Sequence, residues 1–156
     1  TREGSPLDLL MPSAPGDYEL RYILMPGREV LATAAITVEP VTAEIVGPEN
    51  VYSVEYYDGL ASKAEARLDR LGYGDVSIRV GRGQDGWSEP APYDVAYLTC
   101  AAADFPQDVV DQVRDGGRLL GPLGDGSQWL VVAQKRPDGS LDRERLGRVR
   151  FVEMQQ

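Results

Sequence analysis

The chain has 156 residues, 42% of them hydrophobic and 26% charged, which suits one ordinary domain around a single core. Its net charge of −9, from 25 acidic against 16 basic residues, argues against nucleic acid or an anionic membrane as a partner, and no apolar run approaches the ~20 residues that span a bilayer. With no histidine and one cysteine, Cys100, the composition disfavours zinc chemistry, Ser-His or Cys-His nucleophiles and an internal disulfide, and fits a reducing, cytoplasmic compartment.

Residues 1–17 carry Gly4, Pro6, Pro12, Pro15 and Gly16 and read as a loose leader. Residues 18–24 alternate at period two, Met25-Pro26-Gly27-Arg28 is a turn, and residues 29–38 are a second β-prone run, so 18–40 read as a β-hairpin segment. Pro40 suits the first position of a short helix that Gly47-Pro48 stops. Residues 51–55 are a short strand. Residues 58–71 form the best helix, with Leu60, Ala64, Leu68 and Leu71 on one apolar face and Gly72 ending it.

A strand over 76–80 leads into a glycine-rich loop, 81–92. Residues 93–99 then read as a buried parallel strand, apolar on both faces, whose small exit residues Ala101, Ala102 and Ala103 leave room for a ligand. A helix over 107–113, a turn at Gly116-Gly117, and strands over 118–122, 128–136 and 146–153 follow, with Pro137-Asp138-Gly139-Ser140 as a hairpin turn. Strands and helices alternate and then give way to closing strands. That pattern predicts an α/β fold whose sheet is mostly parallel with antiparallel C-terminal strands.

Five segments share a pattern: Val51-Tyr52-Ser53-Val54-Glu55, Gly81-Arg82-Gly83 with Gly86-Trp87, Thr99-Cys100-Ala101-Ala102, Gly116-Gly117-Arg118-Leu119-Leu120, and Arg145-Leu146-Gly147-Arg148-Val149-Arg150-Phe151-Val152. Together they resemble the protein-L-isoaspartate O-methyltransferases, from near Val41 almost to the C-terminus. The resemblance implies a truncated Rossmann-like methyltransferase sheet over 41–156, using S-adenosylmethionine and no metal. It implies cofactor contacts at Glu55, Tyr56, Gly81 and Gly83, with Glu55 on the ribose hydroxyls, and substrate contacts at Thr99, Ala101 and Ala102.

The chain departs from the family pattern in four places. Arg82 stands where the family carries an aspartate beside the adenine, Cys100 replaces an alanine, and Asp104 stands where a proline follows the alanines. The family's Gly-x-Gly-x-Gly cofactor loop has no counterpart in residues 1–50. The 18–40 segment, which resembles hairpins of bacterial β-sandwich domains, is expected to complete the sheet in place of the missing first strand.

Two functions follow. One is methylation of isoaspartyl carboxylates in damaged proteins or peptides, with activity impaired by the lost glycine loop, a lost substrate-binding loop and Arg82. The other is a non-catalytic chimeric or truncated assembly module that retains only the scaffold. Open strand edges also suggest a homodimer formed by strand exchange. Cys100, with no basic neighbour, reads as a small core residue.

Overall fold

The computed structural model describes residues 46–155, so the leader and the hairpin expected over 18–40 lie outside the described residues. Two sheets are present among them. A 3-10 turn at Pro48–Asn50 leads into β1 (Tyr52–Glu55), which pairs in parallel with β2 (Ser77–Val80). Between them runs α1 (Asp58–Leu71). The second sheet has the order β3 (Tyr93–Tyr97), β4 (Val113–Leu123), β5 (Gln128–Lys135) and β6 (Leu141–Val149), with α2 (Gln107–Gln112) crossing from β3 to β4. The β3–β4 pair is parallel, and the β4–β5 and β5–β6 pairs are antiparallel, as the closing strands suggested.

Helix α1 spans the expected residues, but its inner face is only partly the expected one. Ala61, Ala64 and Leu68 are buried, whereas Leu60 and Leu71 lie on the exposed side. The small alanines let the helix lie close to the β1–β2 pair, where Leu68 packs with Val51 and Val76. Gly72, at φ 85°, ends the helix: its N–H donates to Asp69 O at 3.1 Å, and the Tyr73 N–H donates to Leu68 O at 2.9 Å. Positive φ is inexpensive only for glycine, so this residue fixes where the chain leaves the helix.

The larger core lies under the four-stranded sheet. Phe105, Val109, Val110 and Val113 pack against Leu119, Leu123, Val131 and Ala133. Two strand expectations need correction. The strand expected over 93–99 stops at Tyr97, and it is not buried on both faces, since Val95 is 56% exposed. No described strand pairs with its far edge. The last strand runs over 141–149 rather than 146–153, because the Pro137–Ser140 turn folds it back onto β5 at once, pairing Leu141 with Lys135. Gly116 and Gly117 fall inside β4 rather than ahead of it.

Lys135 ties the helix to the sheet. Its Nζ donates to Val110 O (3.0 Å), Asp111 O (3.4 Å) and Val113 O (2.8 Å), which satisfies carbonyls at the end of α2. Replacing it by methionine keeps the apolar stem and removes these bonds. Lys135→Met should lower unfolding stability by on the order of 2 kcal/mol in urea denaturation; an unchanged midpoint would show that water satisfies the carbonyls equally well.

Candidate functional site

The parallel strands of both sheets deliver their carboxyl ends to one side of the molecule. At the end of β1, Glu55 Oε1 accepts the Tyr57 N–H at 2.9 Å, which organises the start of α1 where Tyr57 offers no side-chain cap. The Glu55 carbonyl accepts the Gly81 N–H at 2.9 Å and so fixes the end of β2 beside it. Tyr56 and Tyr57 meet edge to face at 5.1 Å, and both are exposed.

The loop after β2 is held from below. Gln112 on α2 accepts the Trp87 N–H at 2.7 Å and donates to Asp85 O at 2.8 Å. Gly86, at φ 61°, lies so close to this amide that a Cβ there would overlap it. Trp87 packs edge-on against Tyr52 at 5.6 Å under the Arg79 guanidinium, and its carbonyl accepts the Tyr93 hydroxyl at 2.5 Å. Burial, with the nearby Tyr52 and Glu89, pushes the Tyr93 phenol up to about 12. Higher in the loop, with the Gln84 amide oxygen turned toward it, Arg82 donates to Gln84 through Nε at 3.0 Å, and Gln84 in turn donates to Gln155 O at 3.0 Å.

At the end of β3, the backbone of Ala101 is pinned on both sides. Its N–H donates to Val152 O at 2.7 Å, and its carbonyl accepts the Met154 N–H at 2.8 Å. Beside it, the Ala102 N–H donates to Pro122 O at 3.1 Å. Cys100, half-buried between these strand ends, has its thiol pushed up first by burial and then by the charge of Glu55. A thiol held in its neutral form is a poor nucleophile, which agrees with its reading as a packing residue.

A cavity of about 500 Å³ opens in front of Ala101. Its wall combines the small residues Ala101, Ala102 and Ala103 with Arg82, Asp104, Asp125 and Glu153. Asp104 is already paired, to Arg143 at 2.8 Å. Arg82 is the cation among the described lining residues, which also include three carboxylates.

Of the residues singled out in the sequence, Ala101 and Ala102 line this cavity, and so does Arg82. Glu55 and Gly81 meet at the ends of β1 and β2, close enough to Cys100 for the Glu55 charge to act on it. Thr99, Tyr56 and Gly83 lie outside the cavity wall, with Gly83 beside the Met154 side chain. Sequence reasoning missed Gln84, Asp125, Glu153 and Met154 as lining residues, and Gln128 as their support. Gln128 donates to Phe151 O at 3.0 Å and accepts the Phe151 N–H at 2.6 Å. The signal was a polar side chain opening an otherwise apolar strand.

Residues 27–156 match the family model described as protein-L-isoaspartate(D-aspartate) O-methyltransferase. The chain belongs to that family. The match begins upstream of Val41 and takes in the second half of the 18–40 segment. Among curated relatives, it is 44% identical over 113 residues to protein-L-isoaspartate O-methyltransferase 2 of Archaeoglobus fulgidus, covering 72% of this chain and 52% of that protein. It is 42% identical over 113 residues to the Methanococcus aeolicus protein-L-isoaspartate O-methyltransferase, with the same coverage. The chain thus spans about half the length of the curated relatives it matches.

Among solved structures, a protein-L-isoaspartate O-methyltransferase superposes with a TM-score of 0.65 at 20% identity, over 85% of this chain and 51% of that one. A β-aspartate methyltransferase from Plasmodium falciparum, solved in complex with S-adenosyl-L-homocysteine, gives 0.60 at 18% identity, over 74% and 57%. These likenesses establish the fold.

Two measurements test this geometry. Gln128→Leu removes both bonds to the Phe151 backbone and should cost about 1–3 kcal/mol in denaturant unfolding; a loss below a few tenths would mean that the tail is not held there. Alkylation of Cys100 followed against pH should have a midpoint above that of free cysteine, because only the thiolate reacts. In Glu55→Gln, with one of the two causes removed, the midpoint should move to lower pH; an unmoved curve would separate Glu55 from the thiol.

Proposed function

We propose that this chain binds S-adenosylmethionine at the shared carboxyl end of its parallel strands and serves methyl transfer to the free carboxylate of isoaspartyl residues in damaged proteins or peptides. The observation that carries the reading is the convergence of Glu55, Gly81 and Cys100 at one end of β1, β2 and β3, in a chain of this family. The donor set fits a nucleoside. A strand-end carboxylate suits the two ribose hydroxyls, and the Gly81 backbone beside it lets a flat ring approach. Glu55 and Gly81 would hold the ribose side, with Tyr56 and Gly83 flanking it. When bound, the cofactor supplies an activated methyl group on a sulfonium.

Thr99, Ala101 and Ala102 would border the acceptor. The twofold backbone pinning of Ala101 keeps this wall rigid, which is what catalysis by positioning requires. An isoaspartyl carboxylate is already ionised at neutral pH and needs no general base, so the absence of histidine is no obstacle. Arg82 answers a specific difficulty: with Asp104 paired to Arg143, an anionic acceptor entering a wall that also carries Asp125 and Glu153 needs a compensating cation. The lone, half-buried cysteine suits a reducing, cytoplasmic setting.

Titration calorimetry of the folded protein with S-adenosylmethionine and S-adenosylhomocysteine, at moderate and high salt, tests this reading. Micromolar binding that weakens at least tenfold in Glu55→Ala, about 1.4 kcal/mol, is the expected result, followed by methyl transfer to an isoaspartyl peptide. No binding in a sample that unfolds cooperatively would leave a scaffold without the cofactor.

A further inference from the structure

We infer that the arginine face of β6 is a docking surface for an extended acidic stretch of polypeptide, whose carboxylates pair with Arg145 and Arg148. The strand builds this face through its register. Arg143, Arg145 and Arg148 stand opposite Ala133, Val131 and Trp129 of β5, alternate residues that share one face of the sheet. Arg148 follows Arg145 by three residues, so in a regular strand it would fall on the other face. The register shift at Leu130 and Val131 leaves Leu146 as an extra residue and returns Arg148 to the arginine side. Asp142 and Glu144 take the opposite face.

Arg143 is already committed: its guanidinium pairs with Asp104 at 2.8 Å and lies over the Phe105 ring. Arg79, Arg114 and Arg136 also have carboxylate partners. Arg145 and Arg148 instead lie over the half-buried Trp129, at 5.4 and 5.2 Å from its ring centroid. Both are exposed, and neither makes an ion pair or a side-chain hydrogen bond with a described residue. Cation–π contact holds a guanidinium without using its N–H donors, which stay available to a carboxylate. Two cations gathered at one indole also repel each other, and an anion between them offsets that repulsion.

Spacing and charge select the occupant. Val131 and Trp129 are two residues apart on β5, so Arg145 and Arg148 repeat along the sheet at about 7 Å. An extended polypeptide with carboxylates at alternate residues has the same repeat. A second copy of β6 does not fit, because antiparallel pairing with itself would set arginine opposite arginine and Asp142 opposite Glu144. The net charge of −9 repels acidic chains at long range, so their capture is local to this face. The surface borders the candidate cavity, since Asp104, the partner of Arg143, lines it. Docking there needs no methyl donor and stands apart from the cofactor reading.

Fluorescence anisotropy of a short labelled peptide alternating glutamate and threonine, titrated with the full chain at about 0.15 M salt, tests the proposal. Saturable binding is expected, with none for the counterpart that carries glutamine in place of glutamate. Arg145→Gln combined with Arg148→Gln should weaken binding at least about tenfold. Arg145→Lys with Arg148→Lys, which keeps both charges and loses the planar fork, should lie between. Arg70→Gln with Arg118→Gln removes the same charge elsewhere and should leave the affinity within about twofold. An equal loss in that pair overturns the proposal, because net charge alone would then explain the binding. So does tighter binding of an oligothymidylate that Arg145→Gln with Arg148→Gln abolishes, which would mark a nucleic-acid surface. Absence of peptide binding in a sample that unfolds cooperatively overturns it as well.

Discussion

The candidate cavity depends on how the C-terminal tail is held. Gln128, the buried polar side chain among the described residues, makes a reciprocal pair of bonds to the Phe151 backbone. One and three residues later the tail grips Ala101 from both sides, through Val152 and Met154. Glu153 and Met154 thereby become walls of the cavity, and the alanine segment cannot shift without breaking backbone bonds. A buried amide that satisfies both a donor and an acceptor on one residue specifies register as well as contributing energy. The same tail contacts Gln84, so the glycine-rich loop and the end of β3 are positioned by one strap.

Much of the local structure was legible in the sequence because it rests on local rules. The bounds of α1 follow from helical spacing and from Gly72, whose left-handed conformation stops the helix. Its inner face holds the expected Ala64 and Leu68, joined by Ala61 in place of Leu60 and Leu71. The β1–β2 pair lies close enough that Ala61 and Ala64 fit where larger residues would not, and Leu60 and Leu71 are left outside. The start of β6 was missed because it opens on Leu141-Asp142-Arg143-Glu144-Arg145, a charged run with no apolar pattern. It is a strand because a tight turn and the ladder to β5 hold it there. The cavity wall was only half legible, since Gln84, Asp125 and Glu153 are far apart in sequence.

Electrostatics shape what this site can accept. Asp104 is neutralised locally by Arg143, which also lies over the Phe105 ring at 5.8 Å. That leaves Arg82, Asp125 and Glu153 as the other charged residues of the wall, in a chain whose overall charge is strongly negative. Partial charge balance in a solvent-facing cavity is sensitive to ionic strength.

The two tryptophans occupy different mechanical positions. Trp87 sits at the junction, touching β1 through Tyr52, β2 through Arg79, β3 through the Tyr93 hydroxyl and α2 through Gln112. Trp129 lies on β5 within the four-stranded sheet, with the guanidinium groups of Arg145 and Arg148 at 5.4 and 5.2 Å from its ring. Each indole therefore has its own optical environment. Single Trp→Phe forms would turn the molecule into a pair of fluorescent reporters, one reading the seam between the sheets and the other the sheet itself.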